Sequence, residues 1–394
     1  MRILYVISTL TFGGAEKQLV ELARQLARRG HEVAIYTLNR LVPRKPELDG
    51  SGVRLIVDQK RAKLDPGVLW RLRRTIVRWR PDIVHGFLFD GDFYARVAAL
   101  GSGVPVLNSE RADDYRLSPV QRIALRLTRR LTRGVVANSF AGKAFAQRLF
   151  ALPPEDVHVV WNGVAVDEIE RQAVTDCDYR LQFFGRREIR IACLVGAIKP
   201  QKDYHLALTT AQRLVAANPG WRVLLVGDQL SAPGAYRPGR ESDTSGYKAE
   251  VLRHYQQLGL ADRIKFAGLR TDVPAILRQC DVLYVTSRFE GFPNVVLEAM
   301  CLGVPVVSTE YSDIRRILPY PWQIVASRSP DELAHAVLAA HARCEAIAER
   351  QRRWVVANAT IERAAQAMED VYRRYLEPPR RECVQAGCGT ERSP

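Results

Sequence analysis

Two glutamates, Glu290 and Glu298, lie eight residues apart in a segment that suits the binding of an anion. An apolar run ends before them, and residues 294–301 have a helical pattern. Gly291 frees the backbone in the loop between, and Pro293 suits the first position of the helix. N–H groups at a helix start can hold an anion such as a diphosphate, and carboxylates accept hydrogen bonds from hydroxyls. A ligand with phosphates and many hydroxyls, the form of a nucleotide sugar, fits this segment.

A glycine pair near the N-terminus has a similar position relative to a strand and a helix. Gly13 and Gly14 follow the first apolar run and precede a helical pattern. They indicate either a tight turn alone or a place where the backbone approaches a diphosphate. The signature G-x-G-x-x-G is absent here, which argues against a dinucleotide.

The elements that position these loops follow from alternating apolar and amphipathic segments. Near-continuous apolar strands that alternate with amphipathic helices indicate parallel sheets covered on both faces. The sequence therefore predicts an α/β protein with two doubly wound, Rossmann-like domains that face a central cleft at the carboxyl ends of their strands. The predicted strands are 2–8, 32–38, 54–57, 82–87, 104–108, 135–138 and 157–161, followed by 189–195, 222–226, 264–267, 282–286, 304–308 and 323–325.

The boundary between the two series of strands is predicted at 166–188, a polar segment with weak patterning. We expect an N-terminal domain over 1–165 and a C-terminal, nucleotide-sugar-binding domain over 189–350. A helix within 351–376 follows the second domain and is a candidate to pack back on the first. The tail over 377–394 is predicted to be disordered because it is polar and rich in proline and glycine.

Composition limits the class of protein. The chain has 394 residues, 47% of them hydrophobic, which allows two or three domains with real cores. No run reaches the ~18 uninterrupted apolar residues of a membrane span. The first apolar run is short for a signal peptide and lacks a small-residue cleavage site. Seven scattered cysteines without a C-x-x-C pair fit a reduced, cytoplasmic compartment.

The net charge of +15 suits nucleic acid, an anionic membrane surface or a phosphate-bearing substrate. The aromatic interleaving of a base-stacking surface is not evident, so nucleic acid is not expected as a partner. Arginines are concentrated in two helical segments of the first domain, 116–131 and 71–78. In the first of these, leucine and isoleucine recur at helical spacing among the arginines. This pattern fits either a helix lying on anionic lipid or a helix packed on the sheet with a solvated basic face.

Four motifs together resemble the retaining GT-B glycosyltransferases of glycosyltransferase family 4, also described as glycosyl transferases group 1. The resemblance extends over 1–376, and it implies the GT-B fold, an acceptor-binding N-terminal domain, transfer without a cofactor or metal, and retention at the anomeric carbon. The motifs are Gly13-Gly14-Ala15-Glu16, Asn162-Gly163-Val164, Gln201-Lys202-Asp203 and the run 290–305.

The resemblance also assigns roles to individual residues. Lys202 is expected to contact the donor diphosphate and, with Glu290, to be catalytic. Glu290 is expected to contact the transferred sugar, and Glu298 to accept hydrogen bonds from the ribose hydroxyls. Backbone groups around Gly291, Phe292, Pro293, Asn294 and Val295 would hold sugar and phosphate oxygens, Gly13 and Gly14 would approach the diphosphate, and the loop at Arg270 would lie against the base.

Several positions depart from the family pattern. Where relatives have an arginine after the strand glycine, this chain has Ala197, and Lys199 is the candidate replacement. Where many relatives place a sugar-contacting histidine, this chain has Arg111. His85, at the end of a strand, is then the other candidate to contact the sugar or acceptor, with a purely structural histidine as the alternative. The later Gly-Gly segment reads 312–316, Ser-Asp-Ile-Arg-Arg.

No convincing metal site is present in the sequence. The histidines have no ligand spacing such as H-E-x-x-H. Two Asp-x-Asp pairs, Asp90 with Asp92 and Asp176 with Asp178, are interpreted as loop carboxylates. The electrostatic work of a metal would then fall to Lys202 and a helix dipole.

The sequence thus predicts a hexosyltransferase that moves a sugar from a nucleoside diphosphate sugar to a hydroxyl of a glycan or polyprenyl-linked acceptor. UDP is favoured over GDP, and a cytoplasmic protein at the inner face of the plasma membrane, building a surface polysaccharide, is the expected setting. Two alternatives stay open. One is a GT-B epimerase of sugar nucleotides, and the other is a non-catalytic partner that binds the nucleotide sugar.

Overall fold

The structure is a computed structural model that describes residues 1–111, 117–228 and 244–377. The predicted disordered tail lies outside the described residues from 378 onward, and so does Arg116 at the start of the basic segment. Within the described residues, no helix is both long and apolar enough to cross a bilayer.

Two parallel sheets organise the described part of the chain. The first has seven strands in the order β3-β2-β1-β4-β5-β6-β7, and the second has six in the order β10-β9-β8-β11-β12-β13. The first contains β1 (Arg2–Ile7), β2 (Glu32–Thr37), β3 (Arg54–Val57), β4 (Ile83–Phe87), β5 (Val106–Glu110), β6 (Gly134–Ala137) and β7 (Val157–Val159). The second contains β8 (Arg190–Val195), β9 (Trp221–Val226), β10 (Ile264–Gly268), β11 (Val282–Val285), β12 (Val306–Thr309) and β13 (Ile324–Val325).

Helices connect the strands and cover both faces of each sheet. In the first half they are α1 (Gly14–Arg28), α2 (Pro66–Trp79), α3 (Leu88–Ala98), α4 (Pro119–Thr128), α5 (Phe140–Phe150), α6 (Val166–Gln172) and α7 (Tyr179–Phe184). In the second half they are α8 (Tyr204–Ala217), α9 (Thr244–Leu258), α10 (Val273–Arg278), α11 (Asn294–Cys301), α12 (Ile314–Ile317), α13 (Pro330–Ala342), α14 (Cys344–Asn358) and α15 (Ile361–Leu376). Short 3-10 turns occupy Lys45–Leu48, Arg129–Leu131, Pro154–Asp156, Pro200–Lys202 and Pro321–Gln323.

Strand β1 shows why these apolar runs form doubly covered sheets. Ile3 and Tyr5 belong to one buried cluster, whereas Leu4 and Val6 belong to another on the opposite face. Successive side chains of a strand point to opposite faces, so an unbroken apolar run buries both. A strand is present at every predicted run, with ends shifted by up to two residues. The prediction of two doubly wound Rossmann-like sheets is confirmed.

The chain crosses between the two sheets twice, and the crossings lie side by side. The backbone N–H of Val164 donates to the carbonyl of Ala359 at 2.9 Å, and that of Ile361 donates to Val164 at 3.0 Å. A Cβ added at Gly163 would lie 2.5 Å from the Thr360 carbonyl oxygen, so the motif glycine lets the two backbones meet. This crossing separates α15, the helix within 351–376, from α14.

Helix α15 completes the core of the first domain. Its Met368 and Tyr372 are buried with Ile3 and Tyr5, against the face of the sheet that α1 also covers. The Glu369 carboxylate is buried at the same contact. It accepts hydrogen bonds from Arg29 at 2.5 Å and lies 2.8 Å from His31 Nε2. The first domain therefore contains both the beginning and the last described helix of the chain.

Glu369 gives this contact a measurable pH dependence. The Arg29 hydrogen bond outweighs burial and lowers the pKa of Glu369 from 4.5 to about 2. Because the folded-state pKa is depressed, the stabilisation is present above pH 4.5 and is lost as the pH falls towards 2. Glu369→Gln should lower the free energy of unfolding by about 2–3 kcal/mol at pH 7. Urea unfolding at a series of pH values from 7 to 3 measures the difference from the wild type.

The control is Glu362→Gln, which changes an exposed carboxylate of the same helix. It should alter unfolding by a few tenths of a kcal/mol. An equal effect of both substitutions, or a Glu369→Gln difference that does not shrink in acid, would contradict this account of α15.

Candidate active site

The glutamate segment, the Lys202 loop and the Gly13-Gly14 turn meet at the carboxyl ends of the two sheets. The loop over 286–293 connects β11 to α11, and the loop over 196–203 connects β8 to α8. Strands β8 and β11 are hydrogen-bonded neighbours in the second sheet, so their two loops emerge next to one another. The turn before α1 lies opposite, on the first domain.

Glu290 is the centre of the second-domain side. The residue is 9% exposed, and its carboxylate is held by three donors from two loops. Ser287 Oγ donates to it at 2.8 Å and Gln201 Nε2 at 3.2 Å, and the Lys202 ammonium forms an ion pair with the same carboxylate. The structure therefore brings together both residues that were expected to be catalytic, at a position where a buried charge is fully paired.

A second set of bonds fixes the two loops to each other. Arg328 donates to Asp203 at 2.7 Å and to the carbonyls of Thr286 and Ser287 at 2.9 Å. Thr286 Oγ1 in turn donates to the Lys202 carbonyl at 2.7 Å. Sequence reasoning did not single out Arg328, because it lies more than a hundred residues from Asp203 and is not part of a recognised motif. Arg328 thereby fixes the position of the Lys202 loop relative to the Glu290 loop.

The start of α11 differs in two details from the prediction. Pro293 is the residue before the helix, with φ −88° and ψ 92°, rather than its first helical position. Gly291 is needed for space rather than for an unusual backbone conformation. A Cβ there would lie 2.1 Å from the carbonyl oxygen of Arg111, where the two domains touch. The first N–H groups of α11 have no partners within the helix, as at any helix start, and are available to a ligand there.

The first-domain wall approaches α11 through backbone and amide groups. Asn294 Nδ2 donates to the Gly14 carbonyl at 3.0 Å, and Asn162 Nδ2 donates to Asn294 Oδ1 at 2.7 Å. Gly13 is the residue before α1, and a Cβ on it would lie 2.2 Å from the Glu16 carboxylate, which folds back over the turn. Both glycines and the Asn162 motif thus lie at the contact between the domains.

Glu298 has a partner that the sequence did not reveal. Lys17, on α1, donates to Glu298 Oε1 at 2.5 Å across the cleft. Burial lowers the pKa of Lys17, but the charges of Glu298 and Glu21 outweigh it and raise that pKa above the ordinary value. The carboxylate expected to receive ribose hydroxyls is therefore occupied by a protein cation in this structure.

His85 does not face the cleft here. It is fully buried, with Nδ1 2.7 Å from the Tyr372 hydroxyl and Nε2 2.8 Å from Ser109 Oγ. Burial, with the nearby Arg111 charge, lowers the pKa of His85 well below its ordinary value, so the ring is neutral at pH 7. Its geometry is that of a buried structural histidine that links α15 to β5.

Arg111 lies between the buried hydrogen bonds of His85 and the cleft. Its guanidinium donates to Asn162 Oδ1 at 2.9 Å and to Ser109 Oγ at 3.3 Å, and stands 4.6 Å from the centre of the Phe87 ring. Burial lowers the pKa of Arg111 to about 10, which still leaves it charged at pH 7. It positions Asn162, and through Asn162 it acts on Asn294.

Lys199 and Arg270, the other two side chains predicted to bind the nucleotide sugar, have different surroundings. Lys199 lies close enough to Glu16, Lys202 and Glu290 to feel their charges, and burial lowers its pKa. It is thus a cleft residue, as its expected replacement of the missing arginine requires. Arg270 forms an ion pair with Asp272, whose carboxylate also accepts from the Tyr179 hydroxyl at 2.6 Å.

The segment that departs from the family's Gly-Gly pattern contacts the first domain. Ser312 has φ +38°, a conformation that favours glycine, and its hydroxyl donates to the Gly291 carbonyl at 2.9 Å. Asp313 accepts from the Phe140 N–H at 2.8 Å and from Trp161 Nε1 at 3.1 Å, so it caps a helix of the other domain. Arg316 lies over the Phe140 ring at 4.5 Å.

The aspartate pairs have separate structural roles. Asp90 pairs with Lys60 at 2.6 Å, whereas Asp92 is buried, and burial raises its pKa to about 7. Asp178 caps α7 through the Leu181 N–H at 3.0 Å. In the part of the chain that the structure describes, no three metal-ligating side chains come together.

The arrangement can bind a dianion and a polyol at once. Lys202, Lys199 and the helix start of α11 supply positive potential, and Glu290 and Glu298 supply acceptors on either side of it. The first-domain turn at Gly13 brings backbone within reach from the opposite wall. A diphosphate flanked by two hydroxyl-bearing rings has the matching distribution of charge and hydrogen bonds.

Comparison with known proteins identifies both domains of the chain. The family model "Glycosyltransferase Family 4" matches residues 12–168, and "Glycosyl transferases group 1" matches residues 189–343. The structure of Anabaena Alr3699/HepE in complex with UDP-glucose superposes with a TM-score of 0.78 at 21% identity, over 95% of this chain and 100% of that one. This likeness confirms the GT-B fold.

Curated relatives are somewhat more similar in sequence, at 25–29% identity, but cover less of the chain. The Vi polysaccharide biosynthesis protein VipC/TviE of Salmonella typhi is 29% identical over 40% of this chain, but the match spans 25% of that protein. D-inositol 3-phosphate glycosyltransferase of Streptosporangium roseum is 25% identical over 77% of this chain and 74% of its own length. Since a glycosyltransferase family model matches each of the two domains and the fold is GT-B, the chain belongs to the GT-B glycosyltransferases.

Proposed function

We propose that this protein is a retaining glycosyltransferase that moves a hexose from a nucleoside diphosphate sugar to an acceptor hydroxyl. The observation that carries the proposal is the Lys202–Glu290 pair, buried at the start of α11 and facing the glycine turn of the other domain. Retention belongs to the proposal because the segment around Glu290 resembles that of retaining enzymes.

In the net reaction, the bond between the anomeric carbon and the diphosphate breaks, a bond forms from that carbon to the acceptor oxygen, and the acceptor hydroxyl gives up its proton. Negative charge grows on the leaving diphosphate. Lys202 and the N–H groups that open α11 stabilise that charge, with Lys199 in support. Glu290, released from Lys202 by the incoming phosphate, accepts hydrogen bonds from the transferred sugar. Because charge is stabilised by these protein groups, the proposal requires no metal. Closure of the two domains around the donor limits its hydrolysis by water.

UDP is the proposed nucleotide. The support is the fold shared with Alr3699/HepE, whose structure holds UDP-glucose. In that proposal Glu298 accepts the ribose hydroxyls and the loop at Arg270 lies beside the base. The Arg270–Asp272–Tyr179 cluster fixes this loop to the second domain, so its backbone rather than the guanidinium is free to meet the base.

The acceptor is proposed to be a glycan or polyprenyl-linked sugar at an anionic membrane, in surface polysaccharide biosynthesis on the cytoplasmic side. Helix α4 supports the membrane part of the proposal. It buries Leu125 against α5 and the first sheet, whereas Val120, Ile123 and Leu127 are 59%, 60% and 76% exposed. Exposed arginines alternate with this apolar stripe. A helix with this pattern fits an anionic lipid surface better than a purely solvated face.

Helix α2 contributes to the same side of the domain. It packs on α3, which in turn packs on α4. Its Trp70 is 60% exposed with the Arg74 guanidinium 5.3 Å from the ring centre, and Val77 is 55% exposed. Arg71, in contrast, is bound by Asp58. The proposed membrane face therefore comprises the outer surfaces of α2 and α4.

Lys202→Ala and Glu290→Ala should each reduce kcat by ~10²–10³-fold, the usual cost of removing one group that stabilises charge in the transition state. A melting-temperature screen of UDP- and GDP-sugars first identifies the donor, since a bound ligand raises Tm. Release of the nucleotide in the presence of glycan and polyprenyl-linked acceptors then measures turnover. The matched control is Lys63→Ala, which removes an exposed lysine of the first domain and should leave kcat unchanged.

Other outcomes of the same assay identify the alternatives. A sugar nucleotide that changes its sugar without any acceptor would indicate an epimerase. Binding that raises Tm without transfer to any acceptor, in wild type and variants alike, would indicate a non-catalytic partner. Full activity of Lys202→Ala would contradict the proposed role of the lysine.

The paired substitution Ile123→Ser with Leu127→Ser should reduce binding to phosphatidylglycerol vesicles, because it removes the apolar part of the α4 face. Arg122→Gln with Arg126→Gln should weaken binding by about tenfold or more, at ~1 kcal/mol for each cation near the surface. Vesicle flotation at low and high salt measures both effects, and phosphatidylcholine vesicles should bind weakly throughout.

The control pair is Val174→Ser with Leu269→Ser, which changes residues that are 81% and 53% exposed outside the first domain. It should float with the vesicles as the wild type does. Equal loss in the control and α4 variants, or no flotation of the wild type, would exclude α4 as a lipid-binding face.

A further inference from the structure

Three charged side chains form a cluster between α1 and α11 at the mouth of the cleft. Lys17 lies 2.5 Å from Glu298 and 3.8 Å from Glu21, one helical turn further along α1. All three are largely withdrawn from solvent, with side-chain exposures of 22%, 9% and 11%. A single ammonium group is thus shared between two carboxylates, one on each domain.

The surroundings of Glu21 make its charge dependent on Lys17. The charged groups facing it are Lys17 on its own helix, Glu298 on α11, Glu168 on α6 and Arg44 before the first 3-10 turn. Glu168 is itself held by Arg24 at 3.1 Å, and Arg44 by Glu47 at 2.7 Å. Both therefore have partners of their own, and Lys17 is the cation that can compensate a charge on Glu21.

The position of the ammonium on Glu298 conflicts with the proposed function. A ribose whose hydroxyls donate to Glu298 needs the same carboxylate lone pairs that Lys17 now occupies. An incoming nucleotide must therefore displace the ammonium. Glu21 is the acceptor within reach on the same helix, and the pair has the favourable spacing of four residues.

We propose that Lys17 is a positioning residue that moves from Glu298 to Glu21 when the ribose binds, so that the N-terminal domain detects an occupied ribose site. This inference rests on the proposed function, in which Glu298 receives the ribose. In the empty cleft the Lys17–Glu298 pair joins the two domains. In the occupied cleft the ribose takes Glu298, and Lys17 neutralises Glu21.

A proton accompanies the movement. Burial raises the pKa of Glu21 to about 7, with Lys17 opposing and Glu298 and Glu168 adding to the rise. At pH 7 the carboxyl is thus about half protonated in the empty cleft. An ammonium arriving at Glu21 favours the carboxylate, so the carboxyl proton leaves to solvent while Lys17 keeps its own. Binding should release about half a proton at pH 7 and less at pH 8.5, where Glu21 is already ionised.

Isothermal titration with UDP tests the movement of Lys17, because two substitutions should change the Kd for UDP in opposite directions. Lys17→Met removes the competitor of the ribose, so the Kd for UDP should fall about fivefold, a modest coupling between sites. Glu21→Gln removes the ionised destination of Lys17, so the Kd should rise by a similar factor. The double variant should bind as Lys17→Met does, because Glu21 acts only through Lys17. Tm values without ligand check that each variant is folded.

The proton is counted by repeating the titration in buffers of low and high ionisation enthalpy, such as PIPES and Tris. UDP itself titrates near neutral pH, so the readout is the difference between the wild type and Glu21→Gln. The wild type should release about half a proton more than the variant at pH 7. With 2′,3′-dideoxy-UDP, which lacks the hydroxyls, that difference should vanish.

Weaker or unchanged UDP binding by Lys17→Met would overturn this inference alone, since Lys17 would then bind the ligand directly or play no part. Failure of the wild-type protein to bind UDP would overturn both the inference and the proposed nucleotide. An equal proton count for the wild type and Glu21→Gln would likewise exclude the transfer of Lys17 to Glu21.

Discussion

The site depends on one buried carboxylate that two loops must share. Glu290 has lost most of its hydration, and a buried charge is tolerated when cations and hydrogen-bond donors replace the water. Ser287, Gln201 and Lys202 supply them, so the loops after β8 and β11 cannot move independently. The Arg328 side chain also joins these two loops, because it donates to Asp203 on one and to the Ser287 carbonyl on the other. Two parallel neighbouring strands thereby hold a cation and a helix start at a fixed separation, which is the preorganisation that electrostatic catalysis requires.

The first-domain wall of the cleft contacts the second domain mainly through backbone and amide groups rather than through charged side chains. A side chain on Gly291 would collide with the backbone of the other domain, one on Gly163 with the returning segment at Thr360, and one on Gly13 with the Glu16 carboxylate of its own turn. Asn162 and Asn294 then join the walls with short amide hydrogen bonds. Glu290 and Glu298, which the proposed donor would contact, are paired with Lys202 and Lys17 in this structure. In that proposal the donor must replace these protein partners when it binds. This explains how the cleft can be polar and closed at once.

Much of this architecture could be predicted because it is encoded locally. Each strand is an apolar run, and α11 begins just after Gly291 and Pro293. Two details of that start were wrong, since Pro293 precedes the first helical residue and Gly291 is needed because a Cβ would collide with Arg111. What could not be predicted depends on contacts between distant residues. Lys17 meets Glu298 across 281 positions, and Tyr372 reaches His85 across 287. From the sequence, a lysine on an amphipathic helix is expected to lie in solvent. Only the fold shows that Lys17 faces Glu298. Similarly, no local signal indicates that the backbone at 359–361 bonds to Val164 of the other crossing.

The return of α15 to the first domain has a consequence for synthesis. Domains usually fold in the order in which they leave the ribosome. Here α1 covers only part of the hydrophobic face made by Ile3 and Tyr5, and the rest is covered by Met368 and Tyr372, which are made after the whole second domain. The core of the first domain is therefore complete only after the second domain has been synthesised. A chain that ended before α15 would leave the apolar surface beneath that helix exposed to solvent.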